Sequence, residues 1–379
     1  MIIYFLYFLT IILFLICCVS IYNFFTFVKV DRILDTHIHL PFVSILIPAR
    51  NEERSIRDCI ESLCNQHYPH YEIIVLNDDS TDSTSVILEE LQYAYPHLIT
   101  LIHSTHLPDD WIGKSYACHV LSSHAKGEYL LFVDADTVHS PYAVNSLIHK
   151  SQQLQVDLLT AIPKQKLTSI WEHLMVPFMH VLYHGYLPNS FIYSKENPAF
   201  IAANGQIMLF HRDVYDAIDG HQSVKSSIVE DIDIARVTKK NKFTVVLANA
   251  IDISSCSMYN DFTEVFRGFS KNFFAGFQNR LVPFIFFLIH IMNVYVVPLL
   301  LLVFSLIFDI TFLFQWSLFL LFLGFFIRLL STIQFRLPLF HAILQPFTAL
   351  FAIIIGINSV LWSMPGKSRV WKERYYQQS

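Results

Sequence analysis

Two carboxylates, Asp134 and Asp136, stand two residues apart directly after the apolar run Tyr129–Val133. If that run is a strand, both carboxylates lie at its carboxyl end, where ligands gather in parallel sheets. Mg²⁺ and Mn²⁺ prefer oxygen ligands and commonly combine one or two carboxylates with phosphate oxygens. The pair therefore predicts a site for a divalent metal bound to a diphosphate. Alone the pattern is weakly specific, because Asp-x-Asp also occurs in ordinary solvated turns.

Two further polar clusters follow apolar runs in the same way. Residues 48–52 (PARNE) close the run Phe42–Ile47, and residues 77–82 (NDDSTD) close the run Ile73–Leu76. Each cluster alone could be a plain turn or a helix cap. Three polar clusters at three adjacent strand ends instead predict one site, in which Asp78 reaches the base or ribose of a nucleotide.

A pair of acids, Glu230-Asp231, comes later in the chain and is followed by Ile232-Asp233. A carboxylate that faces a bound acceptor can remove the proton of the attacking hydroxyl. The alternative is a solvated helix start, where acidic residues are favoured. In isolation the pair fits the helix start better.

These residues need a scaffold, and residues 41 to 260 predict an α/β domain with a mostly parallel sheet. Short apolar runs alternate there with amphipathic stretches, such as Glu53–Gln66 between the first two runs. The net charge of −5 gives no indication of a nucleic-acid partner. The six cysteines have no CxxC spacing, so we expect reduced, structural thiols.

The composition points to a lipid environment. Of the 379 residues, 54% are apolar and 15% are charged, whereas soluble domains have about 45–50% and about 25%. Residues 2–22 carry no charge and are long enough to span a bilayer, which predicts an uncleaved anchor. Lys29 and Arg32 follow this segment, so the positive-inside rule places the next domain in the cytoplasm of a multi-pass cell-membrane protein.

The C-terminal third contains three more long apolar runs, Leu281–Phe308, Ile310–Leu330 and Leu337–Trp362, before a basic tail. Three crossings would place the tail outside, whereas its basic residues favour the cytoplasm. We therefore expect one run not to cross. The third is favoured, since five residues interrupt it, and a re-entrant or interfacial segment would fit. The interrupting residues are His341, Gln345, Pro346, Gly356 and Asn358.

The predicted organisation is an anchor at 1–30, a cytoplasmic catalytic domain at 31–280, membrane helices at 281–365 and a basic tail at 366–379. Two aromatic stretches of the domain, Trp171–Tyr193 and Phe262–Phe277, could lie on the membrane surface. The alternative is that both are core helices of the domain.

The order of PARNE, NDDSTD, DAD and ED resembles the family 2 glycosyltransferases, which have the GT-A fold. Residues 111–118 (WIGKSYAC) and 371–375 (WKERY) are similar to bacterial carotenoid glycosyltransferases that act on diaponeurosporenoate or hydroxylated carotenoids. The resemblance covers most of the chain. It implies a Rossmann-like mixed sheet with membrane helices at both ends.

The resemblance also implies roles for individual residues. Asp134 and Asp136 would hold a Mg or Mn ion, with Asp136 the closer ligand. Asp231, beside Glu230, would be the general base of an inverting single displacement. Asn204 and Gly205 would line the sugar or acceptor side. The nucleotide, expected to be uridine diphosphate, would be bound by Pro48, Ala49, Glu52, Asp78 and Lys114.

The chain departs from the family pattern in three places, one of which is Glu373, where the tail motif often has glycine. Arg267 and Lys271 lie roughly where related membrane enzymes have a Q-x-x-R-W motif, but the sequence here is FRGFSKN. The two cations could neutralise the leaving diphosphate or bind lipid headgroups. Asp79 stands where the family has glycine, and aspartate tolerates a positive φ better than most residues.

Several functions remain open at the level of sequence. The favoured one is a hexosyltransferase that moves glucose from UDP-glucose to a carotenoid. Ceramide, diacylglycerol, hopanoid or polyprenyl phosphate are alternative acceptors, and an inactive membrane scaffold is an alternative of another class. The oligomeric state, and the choice between a glycoside and a glycosyl ester, stay open.

Overall fold

The computed structural model describes residues 1–33, 40–104, 106–194 and 196–364, and the backbone of two short strands beyond them. The strands in chain order are β1 (Val43–Ala49), β2 (Tyr71–Asp78), β3 (Ile99–Ser104), β4 (Tyr129–Val133), β5 (Thr137–His139), β6 (Leu158–Ile162), β7 (Lys164–Gln165), β8 (Ile207–His211), β9 (Val245–Asn249), β10 (Ser254–Cys256), β11 (Arg369–Trp371) and β12 (Arg374–Tyr376). Lys367, Lys372 and Glu373 of the predicted basic tail lie outside the described residues.

The helices in chain order are α1 (Ile2–Thr26), α2 (Ile56–Cys64), α3 (Thr84–Ala94), α4 (Gly113–His124), α5 (Ala143–Leu154), α6 (Ile170–Gly185), α7 (Asn189–Ser194), α8 (Arg212–Ala217), α9 (Glu230–Lys240), α10 (Phe262–Asn272), α11 (Leu281–Ile291), α12 (Val297–Ile307), α13 (Thr311–Gln334) and α14 (Gln345–Trp362). A π-helical turn, Met292–Val296, joins α11 to α12. Short 3₁₀ helices cover Gly220–Val224, Ala275–Phe277 and Leu339–Leu344.

The main sheet has seven strands in the order β3-β2-β1-β4-β8-β6-β9. Strands β1 to β4 are parallel to one another, and β8 runs antiparallel between β4 and β6. The predicted α/β fold with a mostly parallel mixed sheet is therefore confirmed. Because β2, β1 and β4 are neighbours, their carboxyl ends meet at one edge of the sheet, as the sequence predicts.

Successive side chains of β1 point to opposite faces of the sheet, and both faces are buried. Ile45 and Ile47 pack against α2 and α5 on one side, and Leu46 packs against α4 on the other. Side chains in a strand point alternately to opposite faces, so a strand buried on both sides reads as a continuous apolar run. This explains why the three runs were recognisable in the sequence.

Helix α2 begins three residues later than the predicted helix Glu53–Gln66 and ends at Cys64. The difference has a physical cause at its start. The backbone N–H of Glu52 donates to Thr84 Oγ1 at 2.8 Å, and that of Glu53 donates to Asp82 Oδ2 at 3.1 Å. These bonds hold the chain against the loop after β2 and delay the first helical turn.

Among the residues that the structure describes, four helical segments are long and apolar enough to cross a membrane by length and composition, namely Ile2–Thr26, Leu281–Ile307, Thr311–Gln334 and Leu339–Trp362. The expected anchor and the three C-terminal runs are therefore all helical. Large apolar side chains on these helices face outwards, such as Phe14 (59% exposed) and Ile307 (70%). Exposed apolar surface of this extent is typical of contact with lipid.

Polar side chains join the apolar helices to the α/β domain. Asn23, near the end of α1, donates to the carbonyl oxygens of His184 and Leu187, each at 2.8 Å. Asn249, at the end of β9, donates to the carbonyl oxygen of Gln334 at 3.1 Å. Arg336 forms an ion pair with Asp252. The ends of α1 and α13 are thus held against one edge of the sheet.

Candidate active site

The loops that follow β1 and β2 are hydrogen-bonded to each other. Arg50, which is buried, donates from Nη1 to the carbonyl oxygens of Asp78 (2.5 Å) and Asp79 (2.7 Å). Asn51 and Asp79 both have positive φ, 52° and 54°. Asp79 therefore occupies the left-handed conformation that glycine adopts at least cost, as the sequence comparison anticipated. The two loops, residues 48–52 and 77–82, thus form one continuous surface at the sheet edge, which we call the ledge.

The residues predicted to bind the nucleotide lie on this ledge in different ways. Pro48 and Ala49 are the last two residues of β1 and are buried, so only their backbone could face a ligand. Asp78 is the last residue of β2 and is 1% exposed. Glu52 is half-buried in the turn before α2. All four lie at the carboxyl edge of the sheet, and their role in binding a nucleotide stays a prediction.

Asp134 and Asp136 occupy a tight turn between β4 and β5. The carbonyl oxygen of Asp134 accepts from the Thr137 hydroxyl at 2.7 Å, and the backbone N–H of Asp134 donates to the carbonyl oxygen of Gln206 at 3.2 Å. The carbonyl oxygen of Asp136 accepts from Ser257 N at 3.2 Å. The backbone of the turn is therefore pinned from both sides, and both carboxylates remain half-buried at the sheet edge.

Lys114 joins the first acidic cluster to the second. It lies in the first turn of α4, and its Nζ is 2.8 Å from Asp134 Oδ1 and 2.9 Å from Glu230 Oε1. The loop before α4 is held by a hydrogen bond from Ile112 N to the carbonyl oxygen of Lys225 at 2.8 Å. The structure therefore brings together three residues that are far apart in the sequence.

Asp231 lies beside this ion-paired group at the start of α9. Its Oδ2 accepts from the backbone N–H of Gly205 at 2.9 Å, and its Oδ1 accepts from Ile232 N at 2.8 Å. A Cβ at position 205 would lie 3.1 Å from Asp231 Cβ and 3.3 Å from Lys114 Nζ. Glycine is therefore the residue that lets the chain approach both side chains, and the role of Asn204 and Gly205 on the sugar or acceptor side stays a prediction.

The two neighbouring acids have opposite electrostatic states. Burial and the negative charge of Glu230 raise the pKa of Asp231 to about 7. Burial also acts on Glu230, but the charge and hydrogen bond of Lys114 outweigh it and lower the pKa of Glu230. Two carboxylates with separated pKa values can take different roles. Glu230 is the ion-pair partner of Lys114, and Asp231, with its pKa raised to about 7, is the group able to exchange a proton near neutral pH.

This difference predicts a pH dependence. A base must be deprotonated to act, so we expect kcat/KM for a hydroxyl acceptor to rise tenfold per pH unit below the Asp231 pKa of about 7 and to level off above it. The profile of the metal- and donor-supplied enzyme is the measurement. A rate independent of pH between about 5 and 8 would contradict a titrating base.

Lys271 and Arg267 are placed differently on α10. The charge of Lys271 contributes to lowering the pKa of Glu230, so Lys271 lies close to the acidic cluster. Arg267 is exposed on the same helix. Of the two predicted cations, the structure thus directs Lys271 towards the site, whereas Arg267 faces the surface.

Two tyrosines near the site were not found by sequence reasoning. Burial, followed by the charge of Asp136, raises the pKa of Tyr259. Burial, followed by the charge of Asp231, raises the pKa of Tyr183, whose hydroxyl donates to the carbonyl oxygen of Ala203 at 3.4 Å. Neither belongs to a recognisable motif. The only available signal was their position in the two aromatic stretches, or next to them.

The acidic turn fits a divalent metal that is completed by its substrate. Among the residues that the structure describes, no group of three or more His, Cys, Asp or Glu side chains could hold a metal ion. Asp134 and Asp136 offer hard oxygen ligands, and Asp134 already binds the cationic Lys114 Nζ. Mg²⁺ commonly uses one or two carboxylates and takes further ligands from phosphate. The donor set therefore suits a metal–diphosphate complex.

Comparisons with known proteins agree with this geometry. The family model "Glycosyl transferase family 2" matches residues 44–218. The 4,4'-diaponeurosporenoate glycosyltransferases of Staphylococcus haemolyticus (strain JCSC1435) and Staphylococcus aureus (strain USA300) are each 28% identical over 237 residues, or 62% of this chain and 61% of the relative. The matched region therefore spans less than two thirds of the length of these curated relatives.

A solved structure shares the overall fold. The mannosyltransferase PcManGT from Pyrobaculum calidifontis, in complex with GDP-Man and Mn²⁺, superposes with a TM-score of 0.54 at 15% identity, covering 94% of this chain and 98% of that one. Residues 44–218 are therefore similar to the glycosyl transferase family 2 domain, and the fold is of the GT-A class. The chain is similar to carotenoid glycosyltransferases, which confirms the resemblance read from the motifs.

Proposed function

We propose that the protein transfers a hexose from a nucleotide-sugar to a lipid-like acceptor, with a carotenoid as the favoured acceptor and UDP-glucose as the favoured donor. The observation that carries the proposal is the position of Asp231, held by Gly205 N and adjacent to the Lys114–Asp134–Glu230 group. A proton acceptor beside a turn with two carboxylates suits an inverting glycosyl transfer from a metal-bound diphosphate. The names of the relatives support the carotenoid, and the apolar helices support a lipid-soluble acceptor.

The site residues have separate roles in a single displacement at the anomeric carbon of the donor sugar. Asp231 Oδ removes the proton of the acceptor hydroxyl as its oxygen attacks the anomeric carbon. The bond from that carbon to the diphosphate oxygen breaks at the same time, and the diphosphate leaves with the electron pair. A divalent ion held by Asp134 and Asp136 would supply charge stabilisation to that leaving group. Lys114 and Lys271 add positive charge on the same side, and the ledge of Asp78 and Glu52 binds the nucleotide.

The apolar helices support a reaction at the bilayer surface. We propose that α1, the helix formed by α11 and α12, and α13 cross the membrane, with the catalytic domain on the cytoplasmic face. Lys29 and Arg32 follow α1 on the domain side, in agreement with the positive-inside rule. A lipid-like acceptor then approaches from the leaflet, while the soluble donor enters from the cytoplasm.

The test uses membranes that contain the protein, radiolabelled UDP-glucose, Mg²⁺ or Mn²⁺, and a panel of acceptors. Hydroxylated and carboxylated carotenoids, ceramide, diacylglycerol, hopanoid and polyprenyl phosphate make up the panel. We expect label in a carotenoid product. Label in another lipid would keep the reaction and change the acceptor. Failure with every acceptor and with GDP- and UDP-linked sugars would support an inactive scaffold and overturn the proposal.

A further inference from the structure

The crossing helices have one end next to the α/β domain and the other on the far side of the membrane. Helices α1 and α13 run side by side in the same direction, because Tyr7 contacts Trp316 (ring centroids 5.4 Å apart) and Phe27 contacts Phe335 (5.7 Å). The second contact lies at the domain end, where Asn249 bonds Gln334. The turn between α12 and α13, at Phe308, therefore marks the far side of the membrane.

Helix α14 begins inside the membrane part, next to α13. Gln345, its first residue, accepts a hydrogen bond from Arg328 Nη1 at 2.8 Å. Arg328 precedes the last residue of α13 by six positions, which is about 9 Å along a helix. Arg328 also donates from Nη2 to the carbonyl oxygen of His173 on α6 at 3.4 Å. Gln345 also lines a small cavity with Gly324, so α14 starts beside the middle of α13, and the 3₁₀ helix Leu339–Leu344 leads inwards to it.

Helix α14 ends on the domain side. Ser359 Oγ accepts from Phe274 N at 2.9 Å, and Asn358 Nδ2 donates to Ser270 Oγ at 2.9 Å. Both partners belong to the segment that leads from α10 into the start of α11. A Cβ on Gly356 would lie 2.8 Å from a methyl group of Leu288, the eighth residue of α11, and 3.3 Å from the ring of Phe284 in its first turn. A crossing helix would instead end beside Phe308.

The two faces of α14 have different neighbours. Its outer face carries Phe347, Leu350, Ile354, Ile357 and Leu361, all 43% to 56% exposed and spaced by three or four residues. Its inner face packs on α6 and α10. In the most apolar 18 residues of the segment Leu339–Trp362, 56% of the residues are buried, against 28% to 39% in the other three apolar segments. A helix with one stripe for lipid and one for protein packs on the rest of the protein from the lipid side.

We infer that the segment Leu339–Trp362 does not cross the membrane, but dips in from the catalytic side and returns to it. Together with α6 and α10 it forms a layer whose outer stripe contacts the acyl chains of the leaflet below the active site. This inference rests on the proposed membrane placement of the helices. It puts the basic residues after Trp362 on the same side as Lys29 and Arg32, so the conflict between three C-terminal crossings and the positive-inside rule disappears.

The test is thiol labelling from each side of sealed vesicles. Met364→Cys reports the end of the segment, Arg280→Cys the start of α11 and Phe308→Cys the far turn, each in a background with Cys18→Ala and Cys64→Ala. All three reporter positions are exposed. A membrane-impermeant maleimide is expected to label Met364→Cys and Arg280→Cys in inside-out vesicles, and Phe308→Cys in right-side-out vesicles.

Labelling of Met364→Cys from the same side as Phe308→Cys would overturn the inference. A peptide tag added after Ser379 gives a second readout that does not depend on thiol reactivity. Protease should remove the tag only in inside-out vesicles, and removal only in right-side-out vesicles would also overturn it. Neither measurement uses transfer activity, so failure of the proposed reaction would leave the result unaffected.

Discussion

Replacing Asp231 by asparagine is expected to lower kcat for a hydroxyl acceptor by about 10²- to 10⁴-fold, the range associated with loss of a general base. Donor binding should persist, because Asp231 contacts Gly205 and Ile232 and is not ion-paired with Lys114 in the described structure. The measurements are label transfer at saturating donor and nucleotide binding by calorimetry.

The matched control for this variant is Asp233→Asn. Asp233 lies on the same helix, pairs with Arg236 and accepts from Ser227 Oγ at 2.6 Å. We expect it to change stability and to leave kcat within a few-fold of the wild type. Equal losses in the two variants would mean that Asp231 acts only through the structure of α9, and the base assignment would be lost.

The same variant separates the two product types that the sequence leaves open. A carboxylate acceptor is already deprotonated near pH 7 and brings no proton to be removed. Asp231→Asn should therefore impair transfer to a hydroxylated carotenoid far more than transfer to a carboxylated one. The ratio of the two losses is the measurement, and equal losses would assign Asp231 a positioning role.

Replacing Asp136 by asparagine, or chelating divalent metal, is expected to reduce transfer by about 10²- to 10³-fold, as removal of one preorganised electrostatic stabiliser does elsewhere. The neutral amide is a poorer ligand for a hard cation, and Asp136 lies in a turn pinned by the bond from Ser257 N. Binding of Mn²⁺ in the presence of UDP, followed by electron paramagnetic resonance, gives a readout besides activity.

Asp213→Asn serves as the control for Asp136, because the Asp213 side chain is 88% exposed. It should bind Mn²⁺ with UDP as the wild type does. Undiminished Mn²⁺ binding by Asp136→Asn would remove this residue from the metal site. Full activity in chelator would remove the metal from the reaction.

The sheet and its polar edge could be predicted because they depend on local patterns. A buried parallel strand reads as an apolar run, and the polar residues that follow it necessarily reach the carboxyl edge. The runs before Pro48, Asn77 and Asp134 obey this rule, and the structure confirms β1, β2 and β4. The nature of the fold therefore follows from short stretches of sequence.

The contacts within the site could not be predicted in the same way. Lys114 meets Glu230 only because β8 pairs antiparallel with β4 and brings Gly205 and α9 to the sheet edge. A single antiparallel strand in a mostly parallel sheet has no distinguishing periodicity in the sequence. The opposite pKa directions of Glu230 and Asp231 depend on that contact, so the sequence could rank the two acids only through resemblance to a family.

The most direct test of a single displacement through Asp231 is the configuration of the product at its anomeric carbon. The purified product made from an α-linked nucleotide-sugar can be examined by nuclear magnetic resonance, using the coupling between the first two sugar protons. One displacement inverts the centre, so the account predicts a β-linked sugar. An α-linked sugar would contradict it, since retention requires a different mechanism from direct attack by a deprotonated acceptor.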